Sequence, residues 1–157
     1  MFKPLTINQL LLSNFLIDYD ILPVTESKLF RFEAFGDLGT ETQVLNYLAI
    51  ASVNRQSDFA LWTKNPLIIK RALDTGIESK PLNLQMVFSG YRINQQIDIV
   101  IIQRVFPFID RVFIVNDKNA NVVINCGAKD CKPCQICYHN NGIQVVNEQL
   151  KMTKEAV

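Results

Sequence analysis

Four stretches of the chain alternate or run apolar over strand-like lengths, and helical periodicities fall between them. Leu29-Phe-Arg-Phe-Glu-Ala-Phe35 alternates and predicts a strand closed by the two glycines of Gly36-Asp37-Leu38-Gly39. Phe59-Ala-Leu-Trp-Thr63 predicts a second strand, Leu82 to Phe88 a third and Arg111 to Val115 a fourth. Val122 to Ile124 predicts a short fifth strand. Between them, Thr40 and Gln43 form a capping box ahead of Val44, Leu45, Tyr47, Leu48 and Ala51 at helical spacing. Asn65 is placed to cap a helix that begins at Pro66, carries Leu67, Ile68, Ile69, Ala72 and Leu73, and stops at Gly76. Ile97 to Phe106 is rich in β-branched residues, but its place in the rhythm selects helix over strand. Ahead of all these, a capping box at Thr6 and Gln9 predicts a helix over 6–18 with Leu10, Leu11, Phe15 and Leu16 on its apolar face. The tail from Gln144 opens on an apolar pair, turns polar, and is expected to end as a short surface helix.

Strand starts near residues 29, 59, 82 and 111 give the βαβ rhythm. The expected fold is therefore α/β: a mostly parallel four- or five-stranded sheet, open or a partial barrel, with a C-terminal cysteine-rich metal loop. The chain's 157 residues suit a single domain over 1–157 and are too few for a full eight-fold barrel, which takes about 250.

Composition narrows the function classes. A formal net charge of +1 supplies no global field toward nucleic acid or an anionic membrane. The N-terminal apolar run is short, is interrupted by Asn14 and Asp18, and precedes no small-residue cleavage site, so we expect a cytosolic chain that does not enter a membrane. There is no G-x-G-x-x-G, no phosphate-binding loop and no H-E-x-x-H. Trp62 and the ten phenylalanines sit mostly in apolar runs and read as core. Arg31 and Glu33 share a strand face and read as a pair on its solvated side.

The chemistry concentrates at one place. All four cysteines fall in the segment 126–137, spaced C-x4-C-x2-C-x2-C as Cys126, Cys131, Cys134 and Cys137. In a reducing compartment such a cluster is expected to ligate a metal or do redox chemistry rather than form disulfides. The close spacing of Cys131, Cys134 and Cys137 favours a cubane iron–sulfur (4Fe-4S) cluster, with zinc the alternative and unmetallated redox thiols a third. His139 is a candidate replacement ligand, and Gly127 and Pro133 would let the chain curl around a centre.

Strand exits in parallel sheets collect ligands, which makes Asp37, Lys64 and Ser89 candidate catalytic residues, although turns use Asp, Asn, Gly and Ser for backbone reasons as well. Tyr91 and Arg92 form a weak base-stacking pair, and Lys129 and Lys132 a weak basic loop. Nucleic acid is not the favoured partner.

Phe30-Arg-Phe-Glu-Ala-Phe-Gly-Asp37, Phe59-Ala-Leu-Trp-Thr-Lys-Asn-Pro66, Lys80-Pro-Leu-Asn-Leu84 and the cysteine group followed by Tyr138 resemble the phage and mobile-element "gene product 88" family over about residues 25–140. Longer members look like partial barrels related to radical SAM proteins and carry another cysteine group near the N-terminus. Residues 1–125 of this chain hold no cysteine, so the three-cysteine motif for that chemistry is missing. The resemblance implies an α/β fold, a phage or prophage setting in a bacterial host, and a cysteine-bound metal. We therefore expect a metal-binding accessory or interaction protein acting on a host or phage protein. The alternatives are an enzyme with its site on the strand rim beside the metal, and a phage inhibitor of a host defence protein in which the metal is a staple.

Overall fold

The fold was determined as a computed structural model, which describes residues 10–33, 37–127 and 130–150. Five strands form one sheet in the order β1-β2-β3-β4-β5: β1 Leu29–Phe32, β2 Asp58–Thr63, β3 Leu84–Ser89, β4 Arg111–Asn116 and β5 Val145–Gln149. Every neighbouring pair is parallel. Helices α1 (Glu41–Val53), α2 (Pro66–Asp74) and α3 (Ile99–Val105) make the first three crossovers, and the segment 97–106, expected as a helix, is helical over 99–105.

Strand alternation sorts the side chains to two faces. Phe32, Phe59, Leu61, Leu84, Met86, Phe88, Val112 and Ile114 pack in one core with the apolar faces of all three helices. Ala60, Val87, Phe113 and Val146 form a second core on the opposite face, against Cys137 and Tyr138. Both faces are covered, which is why these strands read as near-continuous apolar runs. The helices lie on one side, so the other side is left to the cysteine segment.

Several local details depart from the sequence reading. The fifth strand is Val145–Gln149, in the tail expected to end as a helix, and Val122–Ile124 is not a strand; only Cys126 there joins the sheet, by a parallel bridge to Glu148. Registry with β4 over five residues rewards the tail, whereas Val123 is left exposed. Leu82 is fully exposed, and β3 begins two residues later at Leu84.

The residue 6–18 helix is helical over 10–14 within the described residues, and Thr6 and Gln9 lie outside them. Leu10, Leu11, Phe15 and Leu16 are exposed; Leu12 and Ile17 are the residues of this stretch that pack on the core. Buried Asn46 of α1 sets that orientation: its side-chain amide donates to the carbonyls of Leu12 and Phe15 (2.8 Å each) and accepts from Ile17 N–H at 2.9 Å.

Thr40 caps α1 by accepting from Gln43 N–H at 3.2 Å, while the Gln43 side chain reaches back to Gly39 N–H (2.9 Å) rather than to Thr40. Asn65 stands at the α2 N-cap without a side-chain bond; Thr63 Oγ1 accepts from Asn65 N–H instead, at 2.8 Å. Gly76 closes α2 at φ 69°, a left-handed conformation that glycine adopts freely.

Glu33 does not continue β1 beside Arg31. It turns left-handed at φ 54°, which a non-glycine residue holds only when its surroundings compel it. The compulsion is its carboxylate, which accepts from Tyr47 Oη (2.7 Å) and from the Gln43 amide on the helix side of the sheet. Arg31 faces the other way.

Candidate functional site

The connection from β4 to β5 carries the cysteines, and each is positioned by a separate device. Cys126 is fixed at the sheet edge: its N–H donates to Asn147 O at 3.0 Å. Asn125 supports this by accepting from Asn147 N–H (2.8 Å) and donating to Val145 O (2.9 Å). Cys131 and Cys134 open and close a single helical turn, α4 (Cys131–Cys134), capped by Asp130, which accepts from Lys132 N–H at 3.0 Å. Gln135 ends that turn in a left-handed conformation (φ 53°), with its N–H on Cys131 O at 2.9 Å. The reversal lowers Cys137 and Tyr138 into the second core, where both are buried. The cysteines are thus divided among a strand edge, a helical turn and a buried turn rather than held in one loop.

Arg111 ties this segment to the sheet. At the start of β4 it is 2% exposed, and its guanidinium donates to Ile136 O, to His139 O at 2.7 Å and to Gln85 Oε1 at 2.9 Å. The two carbonyls lie on either side of Cys137 in the chain, so one buried side chain sets where that thiol sits.

All four cysteines line a cavity of about 350 Å³, whose sheet wall is formed by Arg31, Trp62, Ser89, Phe113 and Glu148. Burial pushes the Cys137 thiol up to about 12; Arg111 opposes the shift, and Cys126, Cys131 and Cys134 add to it. The same burial lowers Arg111, with Cys137 and Asp110 acting against it. Burial, followed by the Cys131 charge, raises Tyr138. Cys131 is exposed, Cys126 and Cys134 half-buried. Among the described residues no group of three or more His, Cys, Asp or Glu side chains is gathered closely enough to ligate a metal ion as placed.

The sheet wall holds donors that the protein leaves unmet. Arg31 lies with its guanidinium carbon 4.0 Å from the centroid of the Trp62 ring. Arg31 Nε and Trp62 Nε1 are buried without a hydrogen-bond partner, at a cost of about 1–3 kcal/mol each. Trp62, expected as plain core, is therefore part of the cavity.

His139 does not join the cysteine cavity. Its Nε2 is 2.9 Å from Gln135 Oε1 and its Nδ1 3.7 Å from Asp58 Oδ2, and it lines an adjoining cavity of about 700 Å³ with Lys28, Asp58, Lys132 and Cys131, the last of which lines both. Of the strand-rim candidates, Ser89 lines the cysteine cavity and the other two do not. The Asp37 carboxylate accepts from Leu38 N–H (2.8 Å), Thr63 Oγ1 (2.6 Å) and Lys64 N–H (3.0 Å), which makes it a staple between two strand-exit loops. Lys64 contributes its backbone to that staple, and its carbonyl accepts from Tyr91 Oη, so Tyr91 is engaged by the rim. Lys129 lies outside the described residues.

The sequence reading passes over Arg111 and takes Arg31 only as half of a solvated pair with Glu33. The available signal was a charge inside an apolar strand, Leu29-Phe-Arg-Phe and Arg111-Val-Phe-Ile, where both sheet faces are covered. No helix among the described residues is long and apolar enough to cross a membrane. Compared with protein-family models, curated proteins and solved structures, the chain matches none of them.

Proposed function

We propose that this protein binds a thiophilic metal centre through Cys126, Cys131, Cys134 and Cys137 and works as an accessory or interaction protein. The observation that carries the reading is that all four thiols of the chain line one cavity on the helix-free face of a parallel sheet. The donor set is all sulfur, which suits an iron–sulfur cluster or zinc. The C-x2-C-x2-C run favours the cluster. A cluster would supply one-electron transfer, whereas zinc would supply a cross-link between the sheet edge and α4.

The protein's own residues supply the frame. Arg111 fixes the turn around Cys137, Asp130 and Gln135 shape the turn bearing Cys131 and Cys134, and Asn125 holds the Cys126 strand edge. Ligation requires exposed Cys131 to turn inward and the buried Cys137 thiol to give up its proton. Asp37 serves as a loop staple, which favours an accessory role over a rim enzyme. The phage or prophage setting and a host or phage protein as partner rest on the family resemblance.

Anaerobic purification with metal analysis and visible absorption tests the proposal. Bound iron with sulfide-to-iron absorption, or bound zinc without colour, is the expected result, and serine at Cys126, Cys134 or Cys137 should release it. Neither iron nor zinc in the anaerobic preparation, with all four thiols free once the protein is denatured, would overturn the reading.

A further inference from the structure

We propose that the sheet wall of the cysteine cavity is a subsite for a small oxyanion, a carboxylate or phosphate group, gripped by Arg31 above the Trp62 ring. The inference extends the reading of the same cavity as the metal proposal but stands on different residues.

Arg31 sits inside β1 between Phe30 and Phe32, and strand alternation turns it away from the helices and toward the cavity. A cation in such a position is ordinarily paired with a carboxylate. Arg31 has no such pair among the described residues. Glu148 lines the same cavity but belongs to β5, and β1 and β5 are the opposite edges of the sheet. The cation–π contact with Trp62 holds the guanidinium over the ring, and its N–H groups have no hydrogen-bond partner among the described residues. A planar fork held in place with its donors unspent matches the two oxygens of a carboxylate or phosphate.

One further donor shares the wall: Ser89 lines the cavity from the end of β3, whereas the unpartnered Trp62 Nε1 is buried away from it. Phe113, whose ring centroid is 4.3 Å from that of Trp62, makes the floor apolar. A cavity of about 350 Å³ lies at the small end of ligand sites, so the ligand is a small molecule rather than a polymer. The competing account is that Arg31 only offsets negative charge on the cysteine wall.

Trp62 is the single tryptophan, so emission excited at the red edge, beyond tyrosine absorption, reads this cavity. The full chain as purified is titrated with inorganic phosphate and, separately, with malonate, against sodium chloride at matched ionic strength. We expect a saturable change in emission with at least one probe and none with chloride. A response to phosphate alone assigns a phosphate ligand, and one to malonate alone a carboxylate. Arg31→Gln should weaken the binding about tenfold or more, and Arg31→Lys, which keeps the charge without the fork, by less.

Trp62→Phe leaves a smaller, weaker ring under Arg31; followed by calorimetry, it should weaken binding several-fold by loosening the guanidinium. No saturable response to either probe overturns the proposal, and so does Arg31→Gln binding like the wild type. If Arg31→Gln fails to fold by circular dichroism, unchanged affinity in both Arg31→Lys and Trp62→Phe overturns it equally. Metal content measured on the same samples separates the two readings. Anion binding without metal sinks only the metal, and metal without anion binding sinks only the subsite.

Discussion

Replacing Arg111 with methionine would test how the cysteine segment is held. The two side chains are similar in length, so the substitution removes the guanidinium while largely filling its space. Three acceptors lose the Arg111 donor: Gln85 Oε1 and the carbonyls of His139 and Ile136, the last keeping a long bond from Asn141 Nδ2 at 3.4 Å. Against that loss stands the relief of a buried cation and of the unpartnered Arg111 Nε. Unsatisfied groups cost about 1–3 kcal/mol each, and with the desolvation relief subtracted the net loss should be about 2–4 kcal/mol. In urea this is a fall in midpoint of about 1–2 M at an m value of about 2 kcal/mol per M. The loss should also be local, because the two carbonyls bracket Cys137 in the chain. A thiol reagent should then reach Cys137 far faster in the variant than in the wild type, where it is buried. Arg111→Lys should fall between the two. Equal stability together with unchanged Cys137 reactivity would refute the view that Arg111 anchors the segment.

Asn46→Ala should cost about 2–3 kcal/mol in denaturant unfolding and open residues 12–17 to proteolysis, since one amide makes three of the hydrogen bonds that bind that stretch to α1 and leaves only the Thr40 Oγ1 bond to Ser13 O beside them. Burial raises the Glu33 carboxyl above its ordinary 4.5; Tyr47 pulls it partly back and the Asp37 charge adds to the rise. Its folded pKa therefore exceeds the unfolded one, so its contribution is fully present below pH 4.5 and is lost as pH rises through the folded value. Glu33→Gln should accordingly gain stability relative to wild type as pH rises from below 4.5 through the folded value, and a pH-independent difference would contradict the burial argument. Asp37→Ala should lower the melting temperature by loosening the loops after β1 and β2, at about 1–3 kcal/mol, while leaving metal content unchanged.

The parallel α/β sheet was legible from the sequence because both faces of its strands are covered, which writes apolar runs at βαβ spacing. The helix at 97–106 was legible from its place in that rhythm even though its β-branched residues argued for a strand. The cysteine grouping was legible as a candidate site from spacing alone. The fifth strand was not: Val145-Val-Asn-Glu-Gln149 has only one apolar pair, and it becomes a strand because β4 offers it an edge in register. Asp37 gave the same signal whether it served as a base or a staple, since loop geometry and catalysis use the same residue type. The mean orientation of the N-terminal stretch was misread because its apolar face was counted without Asn46, which lies far along the chain and decides which side turns inward.

What the sequence determined by itself, then, is the order of the first four strands with the three helices between them and the presence of four thiols in one short segment, because both are written in local periodicity and spacing. What only the tertiary structure decided is which surface those thiols meet. Strand alternation sends Arg31, Trp62 and Arg111 to the face without helices, and the left-handed turn at Gln135 folds the cysteine segment over them. Residues about 30 to 110 positions apart in the chain become one cavity, and no local pattern encodes contacts at that separation.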